Sequence, residues 1–124
     1  MIKKLTDSLG EWLYLVFRVI VGLMFLAHGT GKLFGWGGNA IDPGFSLVFL
    51  AGIIETIVGL AIALGAYTRW AGALGSVTMI VAYFYAHAPN GWLPLANKGE
   101  LALMYFAAFL ILMKEGGGKW SVKE

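Results

Sequence analysis

Four long apolar runs, separated by short polar or glycine- and proline-bearing stretches, set the plan of the chain. A hydrocarbon layer about 30 Å thick needs roughly 20 residues of helix to cross it. The runs predict helices over about residues 11–33, 44–67, 70–87 and 97–113. At 100° per residue, Arg18, Gly22, Phe25, Gly29 and Lys32 share one face of the first helix. Two glycines there invite a close neighbour. The second helix carries one charge, Glu55, with Gly52 and Gly59 on the same face. On the third, Gly72, Ser76, Met79, Tyr83 and His87 line up.

The connections read as irregular chain. The first, about Phe34 to Pro43, holds Gly35, Gly37, Gly38 and Asp42-Pro43. The second joins helices two and three tightly through Tyr67, Thr68 and Arg69. The third, Ala88 to Ala96, has two prolines and Asn90-Gly91, which argue against helix. Asn97 is placed to cap the last helix, with Glu100 three residues on. The tail from Lys114 is polar and glycine-rich, and mobility is expected in part of it. Phe25-Leu-Ala-His28 and Phe84-Tyr-Ala-His87 are alike, as two hairpins in parallel repeat would produce, although so biased a composition yields such matches by chance.

Composition turns this pattern into a fold class. The chain is 59% hydrophobic and 13% charged, against about 25% charged in soluble domains. An all-α integral membrane four-helix bundle follows, as one domain over residues 1–124. The first helix, with Arg18 inside it, reads as an uncleaved span rather than a signal peptide. A net charge of +2 gives no footing for nucleic acid. The absence of cysteine excludes a thiol redox pair or a cysteine-ligated cluster in this chain. Lys3, Lys4, Arg69, Lys114, Lys119 and Lys123 fall at one end of the four spans, and Lys32 and Lys98 at the other. The positive-inside rule then predicts a plasma-membrane protein with both termini cytoplasmic. Trp12, Tyr14, Trp36, Trp70, Trp92 and Trp120 fall near helix ends, as an interfacial belt does.

Ionisable groups inside a membrane are the candidates for chemistry. Arg18 and Glu55 lie about 10 and 16 Å from the same end at 1.5 Å per residue, within reach of an arginine. They are expected to form a buried ion pair, either a structural lock between helices or a proton or ligand site. At the opposite end stand His28, Lys32, His87, Asn90, Asn97 and Glu100. His28, His87 and Glu100 are the candidate catalytic, proton-carrying groups. Lys32, Asn90 and Asn97 are the candidate substrate-binding groups for a quinone head-group or small oxyanion. The plain alternative is a set of terminal polar residues that cap helices and snorkel to water. Two histidines near helix ends do not suit haem, and with Glu100 they match no metal-ligand spacing, so neither haem nor metal is predicted.

Arg18 with Gly22 and Phe25, His28-Gly29-x-x-Lys32-Leu33-Phe34-Gly35, Glu55 with Gly59, Leu64-Gly65-x-x-Thr68-Arg69, Asn97-x-Gly99-Glu100 with Tyr105, and Gly116-x-Gly118-x-x-Ser121 occur in order along almost the whole chain. In this ordered set the sequence resembles the DoxX family of small four-helix membrane proteins. Lys123 departs from it, standing where the family often has an aspartate. The resemblance implies a role like that of the small subunits of a thiosulfate:quinone oxidoreductase, or of membrane-bound oxidative-stress complexes. Quinone would then be the cofactor and another redox protein the partner. Three readings stay open: a quinone-linked oxidoreductase subunit, a non-enzymatic scaffold for a soluble partner in the lipid bilayer, and a small-molecule carrier, which would need to homo-oligomerise.

Overall fold

The computed structural model describes residues 1–38 and 46–124. Asn39, Asp42 and Pro43 of the first loop, and the expected start of the second helix at Gly44, lie outside them. The chain folds into α1 (Ile2–Phe34), α2 (Leu47–Leu64), α3 (Thr68–Ala82), the single turn α4 (Pro94–Asn97) and α5 (Glu100–Glu115). No strand occurs among the described residues beyond an isolated parallel bridge, Ala66 to Lys123. Three stretches are long and apolar enough to cross a membrane: Ile2–Phe34, Leu47–Leu64 and Thr68–Asn90. α5 has 16 residues, and α3 has 15 before it continues into the turns that carry it to Asn90.

The element boundaries differ from expectation for identifiable reasons. α1 begins nine residues earlier than Glu11, because polar residues propagate a helix as well as apolar ones do; Lys3 and Asp7 pair at 2.7 Å across one turn. α2 stops at Leu64 because Gly65 takes the left-handed conformation (φ 72°) and closes the helix. Tyr67 is also left-handed (φ 50°), so α3 starts at Thr68. After Ala82 the helix widens into a π turn, Tyr83–His87, and tightens into a 3-10 turn, Ala88–Asn90. The third connection is thus largely helical, contrary to the reading of its prolines. Pro94 opens α4 at a first-turn position, where its missing N–H costs nothing.

α1 packs mainly on α2, and α3 on α5. The first contact is backbone against backbone. A Cβ on Gly22 would lie 2.4 Å from Ala63 N, one on Gly29 2.4 Å from Thr56 N, and one on Gly59 2.3 Å from Leu26 N. Phe25, Val58, Ile62, Met79, Phe109 and Leu112 fill the centre. Phe25 meets Phe109 edge-on at 4.7 Å and Tyr105 at 5.0 Å, which ties α1 to α5.

The tail folds back against α1 and the end of α2, and Arg18 is the reason. Arg18 is only 2% exposed. Its Nη1 donates to the carbonyls of Gly117 (2.5 Å) and Lys119 (3.0 Å), and Nη2 to that of Ala63 (3.5 Å) in the last turn of α2. A buried cation thus supplies donors to chain-end carbonyls that no helix can satisfy. Tyr14 donates to Gly116 O. Beyond them, Val122 N and Lys123 N donate to Gly65 O, and Tyr67 N donates to Lys123 O. Arg69 serves the end of α5 likewise, donating to the carbonyls of Met113 and Lys114. Trp12 and Trp120 meet edge-on, with the Lys119 ammonium 4.5 Å over the Trp12 ring.

Because guanidinium and tail carbonyls satisfy each other, either loss removes the same interaction. Arg18→Ala and truncation after Glu115 are each expected to lower stability by about 3 kcal/mol, the scale of charge-assisted hydrogen bonds. Combined, they should cost little more than one alone. Thermal unfolding of the four proteins in detergent measures this; fully additive losses would refute the latch.

Candidate functional site

The glycine contacts fix the register of α1 against α2, and the register assigns the two intramembrane charges to different partners. Gly29 lies against Glu55 and Thr56, and Gly22 against Ala63. Lys32, one turn beyond Gly29, therefore reaches Glu55. Its Nζ donates to Oε1 at 3.1 Å and stands 2.9 Å from Oε2. Arg18 is about three turns from Gly29, roughly 16 Å along the axis, and its donors go to the tail and α2 carbonyls. The expected Arg18–Glu55 ion pair does not form. Both residues are buried, as expected, but the anion belongs to Lys32. The Glu55 side chain is 4% exposed and that of Lys32 27%. The stem of Lys32 brings its ammonium down to the carboxylate instead of out to water.

This pair forms part of the wall of a cavity of about 620 Å³. The cavity lies at the Lys32 end, between the first half of α2 and the second half of α3, and is backed by α1 and α5. Its flanks are apolar, with Leu47 and Leu50 on α2 and Val77 and Val81 on α3. All four of these side chains are exposed, so no other part of the described chain covers them. Its polar groups are His28, Lys32, Glu55, Thr78, His87, Lys98 and the phenols of Tyr85 and Tyr105. A cleft with polar groups at one end and open apolar flanks suits an amphiphile with a compact head-group.

The π turn delivers His87 to the cleft. Such turns insert one extra residue into a helix and are frequent at functional sites. His87 Nδ1 lies 3.2 Å from Asn97 O. A carbonyl only accepts, so a hydrogen bond here requires the proton on Nδ1. Asn97 is 2% exposed and its side chain is fully engaged. Nδ2 donates to Tyr83 Oη (3.1 Å) and Gly91 O (2.9 Å), and Oδ1 accepts from Gly99 N (2.8 Å). Asn97 ends α4 and does not cap α5, whose cap position is Gly99. His28 is exposed and its ring stands edge-on to Tyr105, 5.7 Å between centroids.

Four of the predicted site residues are brought to this one cleft: His28, Lys32, His87, and Glu55, which was expected only as the partner of Arg18. Glu100, Asn90 and Asn97 do not line it. Glu100 is exposed in the first turn of α5, where a carboxylate complements the helix N-terminus. Asn90 donates to Ala86 O, and Asn97 is a buried tie between segments. Sequence reasoning missed Glu55, Lys98, Tyr85 and Tyr105 as cleft residues. Counting Glu55 from the start of α2, the same end as Lys32, was the available signal. No group of acidic, histidine or cysteine residues able to hold a metal is found among the described residues.

Fold and site together define a helical multi-pass membrane protein with a cleft between its helices. The model of the DoxX family matches residues 13–88. A Haemophilus influenzae relative, described as an uncharacterized protein, is 39% identical over 111 residues, covering 82% of this chain and 81% of its own. The chain belongs to the DoxX family. No solved structure matches it.

The Lys32–Glu55 pair makes a specific prediction. Lys32→Met strands a buried carboxylate and is expected to cost about 3–5 kcal/mol, whereas Lys32→Met with Glu55→Leu should recover most of that loss. Thermal unfolding of both variants decides it; a double variant no more stable than the single would refute the coupling.

Proposed function

We propose that this DoxX protein is the membrane subunit of a quinone-linked redox system, and that the cleft takes the quinone head-group. The observation that carries this reading is the cleft's two-part character: imidazoles, phenols and an internally neutralised ion pair at one end, and open apolar flanks on α2 and α3. A lipid-soluble ring enters from the bilayer between those helices, and its chain stays among the exposed leucines and valines. Glu55 compensates the Lys32 charge, which suits a neutral head-group beside that pair and leaves Lys98 as the cation an oxyanion such as thiosulfate would meet. His28 and His87 are the groups suited to move protons as the ring is reduced or oxidised. With no redox centre contributed by cysteine, electrons reach or leave the ring directly from a partner protein.

Protein purified in mild detergent from its native membrane is expected to carry quinone, detectable in an organic extract, and His28→Ala with His87→Ala should lose it. Extracts free of quinone from both proteins would overturn the reading.

The topology proposed with it has four spans, α5 completing the set with the turn before it, and both termini in the cytoplasm of a cell whose plasma membrane holds the protein. Two features support this: the six-to-two distribution of Lys and Arg between the ends, and the contact of the tail with the Trp12–Arg18 segment of α1. A C-terminal tag should be protected from protease in intact cells; cleavage there would contradict the orientation.

A further inference from the structure

The cleft holds one polar atom whose hydrogen-bonding sense is fixed by the fold. Because His87 Nδ1 donates to Asn97 O, the neutral ring has its lone pair on Nε2. Nε2 has no hydrogen-bond partner among the described residues, and His87 lines the cleft. Asn97 keeps this arrangement rigid. Its amide holds Tyr83 at the start of the π turn, Gly91 beyond the 3-10 turn, and Gly99 ahead of α5. Its own carbonyl is therefore fixed where His87 must donate to it. His28 has no such constraint and can present either sense.

The other polar groups lack this bias. Lys32 and Lys98 are donors only, the Glu55 carboxylate is an acceptor already taken up by Lys32, the Thr78 hydroxyl donates to Leu74 O, and Tyr85 and Tyr105 both donate and accept. A ring carbonyl satisfies the ammonium groups but leaves His87 Nε2 facing an acceptor. A ring hydroxyl accepts from an ammonium and donates to Nε2 as well. We propose, resting on the quinone reading above, that the cleft discriminates between the two forms of its ligand. It favours the hydroxyl-bearing, reduced head-group over the carbonyl-only, oxidised one, with His87 as the specificity-determining residue and Asn97 as its positioning residue. The physical cause is the cost of setting one acceptor against another inside the cleft.

The test compares a short-chain benzoquinone with its quinol, each titrated anaerobically into the full chain in detergent. The quinol should bind about five- to tenfold more tightly, the worth of one hydrogen bond. His87→Phe should bring the two affinities together. A long-range proton–nitrogen NMR spectrum of the unaltered protein reads the tautomer independently of any variant, and should place the His87 proton on Nδ1. Equal affinities, tighter binding of the oxidised form, or a proton on Nε2 would overturn the preference while leaving the quinone reading in place. Binding of neither form would overturn the quinone reading itself, and the preference with it.

Discussion

The approach of α1 to α2 without intervening side chains governs much of what this protein can do. At Gly22, Gly29 and Gly59 the two backbones are too close to admit a Cβ. Contact of this kind tolerates no sliding, because a shift along either helix would drive side chains into the opposite backbone. Such small-residue seams suit a membrane, where the hydrophobic effect gives helices little reason to associate and packing must do it. Here the seam also decides electrostatics. It places Glu55 level with Gly29 and Ala63 level with Gly22, so the anion meets Lys32 and the guanidinium meets carbonyls.

The two buried charges then do different work. Arg18 has no carboxylate partner within salt-bridge distance among the described residues; it is neutralised by carbonyl dipoles at the end of α2 and along the tail. Those carbonyls need donors, and the cation needs acceptors, so the C-terminal segment is folded into the molecule through one side chain. Glu55 and Lys32 cancel each other at the opposite end and leave the cleft polar without strong net charge at its deepest point. The division yields one end closed by the tail and one end that opens into the cleft.

At the cleft end, precision comes from a second device. The π turn, the 3-10 turn, α4 and the start of α5 are all short, and none would hold its shape alone. Asn97 joins them by three side-chain hydrogen bonds from a site closed to water. A buried amide of this kind uses every donor and acceptor it has, and in return it orients His87. The candidate chemistry thus rests on a residue that does not line the cleft.

Much of the architecture was legible in the residues. Apolar run lengths marked the helices, glycine spacing marked the close-packed faces of α1 and α2, and depth along each helix brought His28, Lys32 and His87 to one end. What a linear reading lacks is competition between partners. Arg18 and Glu55 look matched because they are opposite in sign and near in depth, yet tail carbonyls ninety-nine residues away in sequence claim the arginine first. Glu100 and Asn97 look alike as polar residues at a helix start; only packing shows one in solvent and the other sealed inside. The Ala88–Ala96 segment looks irregular from its prolines, but Pro94 sits where a helix accepts proline. Sequence by itself determined the depth of Arg18 and Glu55 within apolar helices and hence their burial, because hydropathy and helical rise are local properties. The tertiary structure decided which groups meet, because an unsatisfied carbonyl or charge in a dry interior takes the partner that geometry offers, whatever its distance along the chain.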